Sequence, residues 1–227
     1  MILPLINHID LGLIDYKEAW DYQEKVFQEL LALKSQGSKP PNYLLFCEHP
    51  PVFTLGRSGS TNNLLINEDL LKKKNIGFYH INRGGDITFH GPGQIVGYPI
   101  LDLEQFAIGI KEYIFLLEEA VIITLRHYGI NAGRLAGAIG TWLDPDRQDH
   151  ARKICAIGVR ASRHVTMHGF AFNVNTDLNF YQYINPCGFT DKGVTSMAKE
   201  LGKPQNMDEI KSLLSETLIN LLRAKFS

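Results

Sequence analysis

The sequence predicts an α+β fold, a single domain over residues 1–227 with mixed or antiparallel sheets and flanking helices. Three observations predict it. Strand-like and helix-like apolar patterns are interspersed without the regular βαβ rhythm of a parallel sheet. The 227 residues are 44% hydrophobic and 21% charged, an ordinary composition for one substantial core. No internal repeat or low-complexity linker divides the chain.

The elements follow in order. Residues 15–34 read as an amphipathic helix: Asp15 and Glu18 form a start signal, Val26, Leu30 and Leu33 recur at helical spacing, and Gly37 lies just past the end. "NYLLFCEHPPVFTLG" reads as two short buried strands split by Pro50 and Pro51. A short helix over 67–75 and a strand in "FYHIN" come next, then strands over 87–90 and 95–100. Ile110, Tyr113, Ile114, Leu117, Val121, Leu125 and Tyr128 make a helical stripe closed by Gly129. "AIGTWL" and "KICAIGVRA" are strand-like, with the polar loop "DPDRQDHAR" between them, and "VTMHGFAFNVN" is a further strand. A short helix over 196–201 and an amphipathic one from 207 to about 225 complete the chain.

A net charge of −1 gives no global attraction to nucleic acid or an anionic membrane. No run of about 18 apolar residues suits a transmembrane helix. The opening "MILPLINHIDLGLIDYKEAW" lacks the basic and apolar regions of a secretory signal and carries early acidic residues. Three cysteines, Cys47, Cys155 and Cys187, are too few and odd in number for a disulfide framework, which fits a reducing, cytoplasmic setting.

Three stretches stand out. "RGGDITFHGPGQ", residues 83–94, matches neither dinucleotide nor P-loop patterns and is not followed at once by a long helix. It reads as strand, tight turn and strand: either a hairpin with special turn geometry or a wall where a ligand approaches the backbone, with Arg83 and His90 bracketing its first eight residues as the side chains that would make it a site. In "RKICAIGVR", Lys153 opens an apolar strand; it either snorkels to solvent or leaves a partly buried ammonium that holds a neighbour anionic. In "INPCGFTDKGVTS", Cys187 sits between Pro186 and Gly188, a turn-like setting outside any apolar run. An ordinary thiol with a pKa of about 8.5 is only a few per cent thiolate at neutral pH. An ammonium within about 4 Å supplies up to ~4 kcal/mol at an effective dielectric of 20, ample for activating it. Cys47 and Cys155 read as core thiols, Trp142 as packing, and Lys72-Lys73-Lys74 as a solvated helix face. A zinc site from His164 and His168 with His90 or Cys187 is disfavoured, because a strand would hold the first two about 13 Å apart.

In their order, these stretches resemble the lipoyl(octanoyl) transferases. That family carries R-G-G-x-x-T-x-H-G-P-G-Q, then K-I-x-A-I-G-V-R, then T-x-H-G-F-A-x-N-V, then P-C-G. "EHPPVFTLGR" and "VTSMAKEL" are also similar, and the likeness runs over roughly 48–201. Position 86 is Asp where the family often has Gln, and position 89 is Phe where Tyr is frequent.

The resemblance implies a biotin/lipoate protein ligase-like fold. It also implies transfer of an octanoyl group from octanoyl-acyl carrier protein to a lysine of lipoyl domains. The acceptors would be the E2 subunits of 2-oxoacid dehydrogenases and the glycine cleavage H protein. It places the nucleophile at Cys187 and its partner lysine at Lys153. Acyl contacts would come from Arg83, Gly84, Gly85, Asp86, Ile87, Thr88, Phe89 and His90, from Ala156, Ile157 and Gly158, and from Gly169, Phe170 and Ala171. It calls for no cofactor, metal, nucleic acid or membrane. Arg57, Arg147, Arg152 and Arg163 are candidate contacts for the acidic carrier protein. The alternatives are an ATP-dependent lipoate or biotin protein ligase, a non-catalytic acyl- or protein-binding module on the same fold, and a zinc hydrolase.

Overall fold

Leu44 and Phe46 face one apolar cluster while their neighbours Leu45 and Cys47 face another. Strand alternation therefore buries both faces of the segment, and two helical layers are needed to cover it. The computed structural model describes residues 4–147, 149–186 and 192–225. Its large sheet contains β1 (Ile6–Leu13), β2 (Asn42–Glu48), β6 (Gln94–Ile100), β7 (Gly133–Leu135), β8 (Ala138–Leu143), β9 (Arg152–Ser162) and β10 (Val165–Asn173). Their spatial order is β1-β2-β6-β10-β9-β8-β7, and β11 (Gly193–Val194) also pairs with β9. The β1–β2 and β11–β9 pairs are parallel and the others antiparallel.

One face is covered by α1 (Tyr16–Ser35), whose Ala19, Val26, Phe27 and Leu30 meet Leu45, Val96, Ile100 and Met167. Asp15 caps this helix by accepting from the Lys17 amide at 2.8 Å. The other face carries α3 (Ile110–His127) and α5 (Met207–Ala224), packed on Phe46, Ile95, Ile154, Phe170 and Phe172. α4 (Met197–Leu201) adds Met197 to that cluster.

After β2 the chain turns at Pro50 and Pro51, which cannot continue a central ladder, and enters a second sheet. It has the order β4-β3-β5, from β3 (Val52–Leu55), β4 (Gly77–His80) and β5 (Ile87–His90), beside α2 (Glu68–Lys73). Phe53, Leu55, Ile87, Phe89 and Ile184 form its core.

β1, β7 and β11 are strands beyond those expected from the sequence. β1 pairs with one neighbour only, and its "INHIDLGL" mixes polar and apolar residues on a half-exposed edge. Among the described residues, no helix is long and apolar enough to cross a membrane.

Candidate active site

Where the two sheets meet, β5, β9 and β10 wall a cavity of about 560 Å³. The glycine-rich segment reaches β9 because one strand edge is open to it: the Gly84 amide donates to the Val159 carbonyl at 3.0 Å. Gly158 makes this approach possible, since a Cβ there would lie 2.7 Å from the Gly84 oxygen and 2.9 Å from Arg83 Cδ.

A chain of buried hydrogen bonds fixes the polar end. Arg83 Nη2 donates to Thr54 Oγ1 at 3.0 Å and to the Thr54 carbonyl at 2.8 Å. Thr54 Oγ1 in turn donates to His90 Nε2 at 3.3 Å, and His90 Nδ1 donates to Gln94 Oε1 at 2.9 Å. Gln94 Nε2 continues to Asn173 Oδ1 at 2.9 Å, and Asn173 Nδ2 to the Thr195 carbonyl at 3.0 Å. Every member therefore has one orientation and His90 one tautomer. Burial, then the nearby His49 and Arg83, holds His90 well below the usual histidine range, so it is neutral.

His49 and His168 complete the cluster. His49 Nδ1 donates to the Ile14 carbonyl at 2.8 Å, leaving Nε2 to accept from the Tyr98 hydroxyl at 2.7 Å. Burial pushes His49 down to about 4. His168 Nε2 donates to Asn82 Oδ1 at 2.7 Å, while its buried Nδ1 has no hydrogen-bond partner among the described residues. Burial, reinforced by Arg83 and Arg160, pushes His168 down to about 3. Its φ is +60°, in the left-handed region, and its amide donates to Gln23 Oε1 at 3.3 Å. Tyr16 stacks on His90 with ring centres 5.7 Å apart.

At another part of the wall, the Lys153 ammonium lies 4.7 Å from the centre of the Trp142 ring. Lys153, Pro186 and Val194 all line the cavity, and Val194 is the β11 partner of Lys153. Cys187 lies outside the described residues. The other two thiols are buried, and burial pushes both upward, which keeps them protonated at neutral pH.

The comparisons with known proteins decide the family. The model of the lipoyl protein ligase A/B catalytic domain matches residues 15–219. The chain is 56% identical to an octanoyltransferase of Parabacteroides distasonis over 212 residues, 93% of this chain and 96% of that one. It is 55% identical to an octanoyltransferase of Christiangramia forsetii, covering 95% of each. The chain belongs to the lipoyl protein ligase A/B catalytic domain family. Solved structures give the fold: a bipartite lipoate protein ligase of Thermoplasma acidophilum aligns with a TM-score of 0.69 at 16% identity, over 96% of this chain and 84% of that one. A biotin protein ligase of Aquifex aeolicus aligns at 0.55 and 14% identity, over 95% and 70%. The expected α+β, biotin/lipoate ligase-like class is the observed one.

Within this lipoyl ligase A/B domain, residues 83–88, His90, Lys153, 156–158 and 169–171 line the cavity. Phe89 does not, contrary to expectation. Strand alternation sends it to the other face of β5, where it stacks on Phe180 at 4.6 Å in the smaller core. The Phe-for-Tyr departure thus alters that core rather than the cavity wall. Asp86 lines the cavity but also accepts from Asn63 Nδ2 at 2.5 Å and from the Ile87 amide at 2.7 Å, which ties the segment to the loop after β3.

Arg57, Arg147 and Arg163 are exposed, whereas Arg152 is held internally by Glu200 and Asp144. His164 lies in the exposed turn between β9 and β10, away from the buried His168. Among the described residues no three His, Cys, Asp or Glu side chains are grouped to hold a metal ion. Tyr16, Thr54, Tyr98 and Tyr181 were missed from sequence. A tyrosine at the start of α1 and a histidine inside the apolar "FCEHPPVF" were the available signals.

Proposed function

We propose that this chain, as one catalytic domain over residues 1–227, transfers an octanoyl group from octanoyl-acyl carrier protein to the ε-amine of a lysine on lipoyl domains. The acyl group passes through a thioester on Cys187. The observation that carries the reading is the cavity wall: Lys153, the glycine-rich segment and Pro186, the residue before Cys187, all border one space. The name octanoyltransferase, borne by relatives 56% identical over nearly the whole chain, supports it.

The cavity has the size of a small-molecule site. Ile157, Phe170 and Ala171 offer apolar wall, where each methylene buried contributes about 0.8 kcal/mol. The Cys187 thiolate attacks the thioester carbonyl, a new C–S bond forms as the bond to the carrier's sulfur breaks, and the departing sulfur takes a proton from the Lys153 ammonium, which is left neutral. Lys153 stabilises the thiolate as an ammonium. The acceptor amine then attacks the acyl-enzyme, the C–S bond breaks, and an amide forms. Neutral for that step, Lys153 takes the proton released by the amine. Exchange of one thioester for another is nearly isoenergetic and the amide is downhill, so no ATP is consumed. Acceptors of this reaction are the lipoyl domains of 2-oxoacid dehydrogenase E2 subunits and the glycine cleavage H protein. The setting is the cytoplasm.

Intact-protein mass spectrometry after mixing with octanoyl-acyl carrier protein, without ATP, tests this. The expected outcome is a mass gain of one octanoyl group that hydroxylamine removes and that Cys187→Ser does not acquire at neutral pH. An adduct formed only with ATP and octanoic acid would favour the ligase reading. Binding of the carrier without any adduct would favour a non-catalytic module.

A further inference from the structure

Lys153 and Trp142 meet because of a defect in strand pairing. On β8 and β9, Thr141 pairs with Cys155 but Trp142 pairs with Lys153, so the register slips by one residue at Ile154. Regular pairing would set Trp142 opposite Ile154, with its side chain on the face away from Lys153. The bulge moves the indole to the lysine's side. The ring is 1% exposed and its Nε1 donates to the Ala138 carbonyl at 3.0 Å, so it is held in one place. The ammonium lies 4.7 Å from the ring centre, within cation–π range. Gly140 lets the two strands approach at the slip: its φ is +125°, and a Cβ there would lie 2.5 Å from the Cys155 carbonyl oxygen.

We propose that Trp142 is a positioning residue for the transfer reaction, its indole face holding the Lys153 ammonium at the cavity wall where the nucleophile needs it. This rests on the Cys187–Lys153 reading above. Trp142 is not among the residues that line the cavity, and the role assigned to it runs through Lys153.

The chain has two tryptophans, so protein made with 5-fluoro- or 5,7-difluorotryptophan in a Trp20→Phe background carries the label at position 142 alone. Fluorination drains the ring face while nearly preserving its shape, so folding is not the variable. Iodoacetamide alkylation of Cys187 at pH 7, read by peptide mass spectrometry, reports thiolate; the buried Cys47 and Cys155 are internal controls. The expected outcome is a stepwise slowing with each fluorine, roughly two- to fivefold for the difluoro protein. Lys153→Met should slow alkylation further and move the ¹⁹F resonance of residue 142. An unchanged or faster rate across the fluorinated series, with Lys153→Met still slow, overturns the role of Trp142 alone. Unaltered alkylation in Lys153→Met overturns the Cys–Lys reading itself.

Discussion

Thr54 places one hydroxyl between two buried groups that cannot otherwise meet. It accepts from Arg83 and donates to His90, and both partners line the cavity. Thr54→Val keeps the shape but leaves the buried His90 Nε2 without its donor. The cost of an orphaned buried acceptor is about 1–3 kcal/mol. Arg83 retains its bond to the Thr54 carbonyl, so the backbone should stay in place. The expected outcome is a fall in urea-unfolding free energy of that size, and a melting temperature lower by about 2–4 °C for each kcal/mol. Acyl transfer should also slow, because the His90 ring loses one of its two anchors. A variant with wild-type stability would mean that the hydroxyl and His90 are not coupled.

The docking of the glycine-rich segment onto β9 depends on backbone contact rather than on side chains. Gly158→Ala would drive a methyl group into the Gly84 carbonyl, at 2.7 Å, and neither strand nor segment can yield cheaply there. Overpacking of this kind costs about 1–3 kcal/mol. Melting temperature and octanoyl loading should fall together, and unaltered loading would show that the segment is not an essential wall. The wall itself was legible in the sequence: four glycines, an arginine and a histidine in twelve residues suit no ordinary hairpin. The helices were equally legible, because the stripes of α1, α3 and α5 repeat at 3.6 residues and those of α1 and α3 close at Gly37 and Gly129. Partners far apart in the chain were not. Gln23 meets His168 across 145 positions, and the strand slip that aims Trp142 at Lys153 leaves no mark on local periodicity. Phe89 was misplaced for a simpler reason, since a motif names consecutive residues whereas a strand sends alternate ones to opposite faces.

The whole molecule buries three histidines in neutral form at the junction of its two sheets. His49 is held at about 4, His168 at about 3, and His90 well below the ordinary value, in each case chiefly by burial. In the unfolded chain all three titrate near 6.5. As pH falls below about 6.5 the unfolded state takes up protons that the folded state refuses, so stability declines toward acid and is regained as pH rises. The limit is about 1.36 kcal/mol per pH unit for each histidine, or ~4 kcal/mol per unit for the three together. The decline should set in before the carboxylates matter: Glu200, lowered mainly by its hydrogen bond to Arg152, loses its contribution only as pH falls below its ordinary value of about 4.5. Urea unfolding at pH 7.5, 6.0 and 5.0 should therefore show a steep drop in the last interval. His168→Asn should remove about a third of that slope, because asparagine tolerates the left-handed backbone at this position and carries no titrating proton. A stability that stays level from pH 7.5 to 5.0 would mean that the cluster admits protons without unfolding, and that the cavity's polar end is open to water.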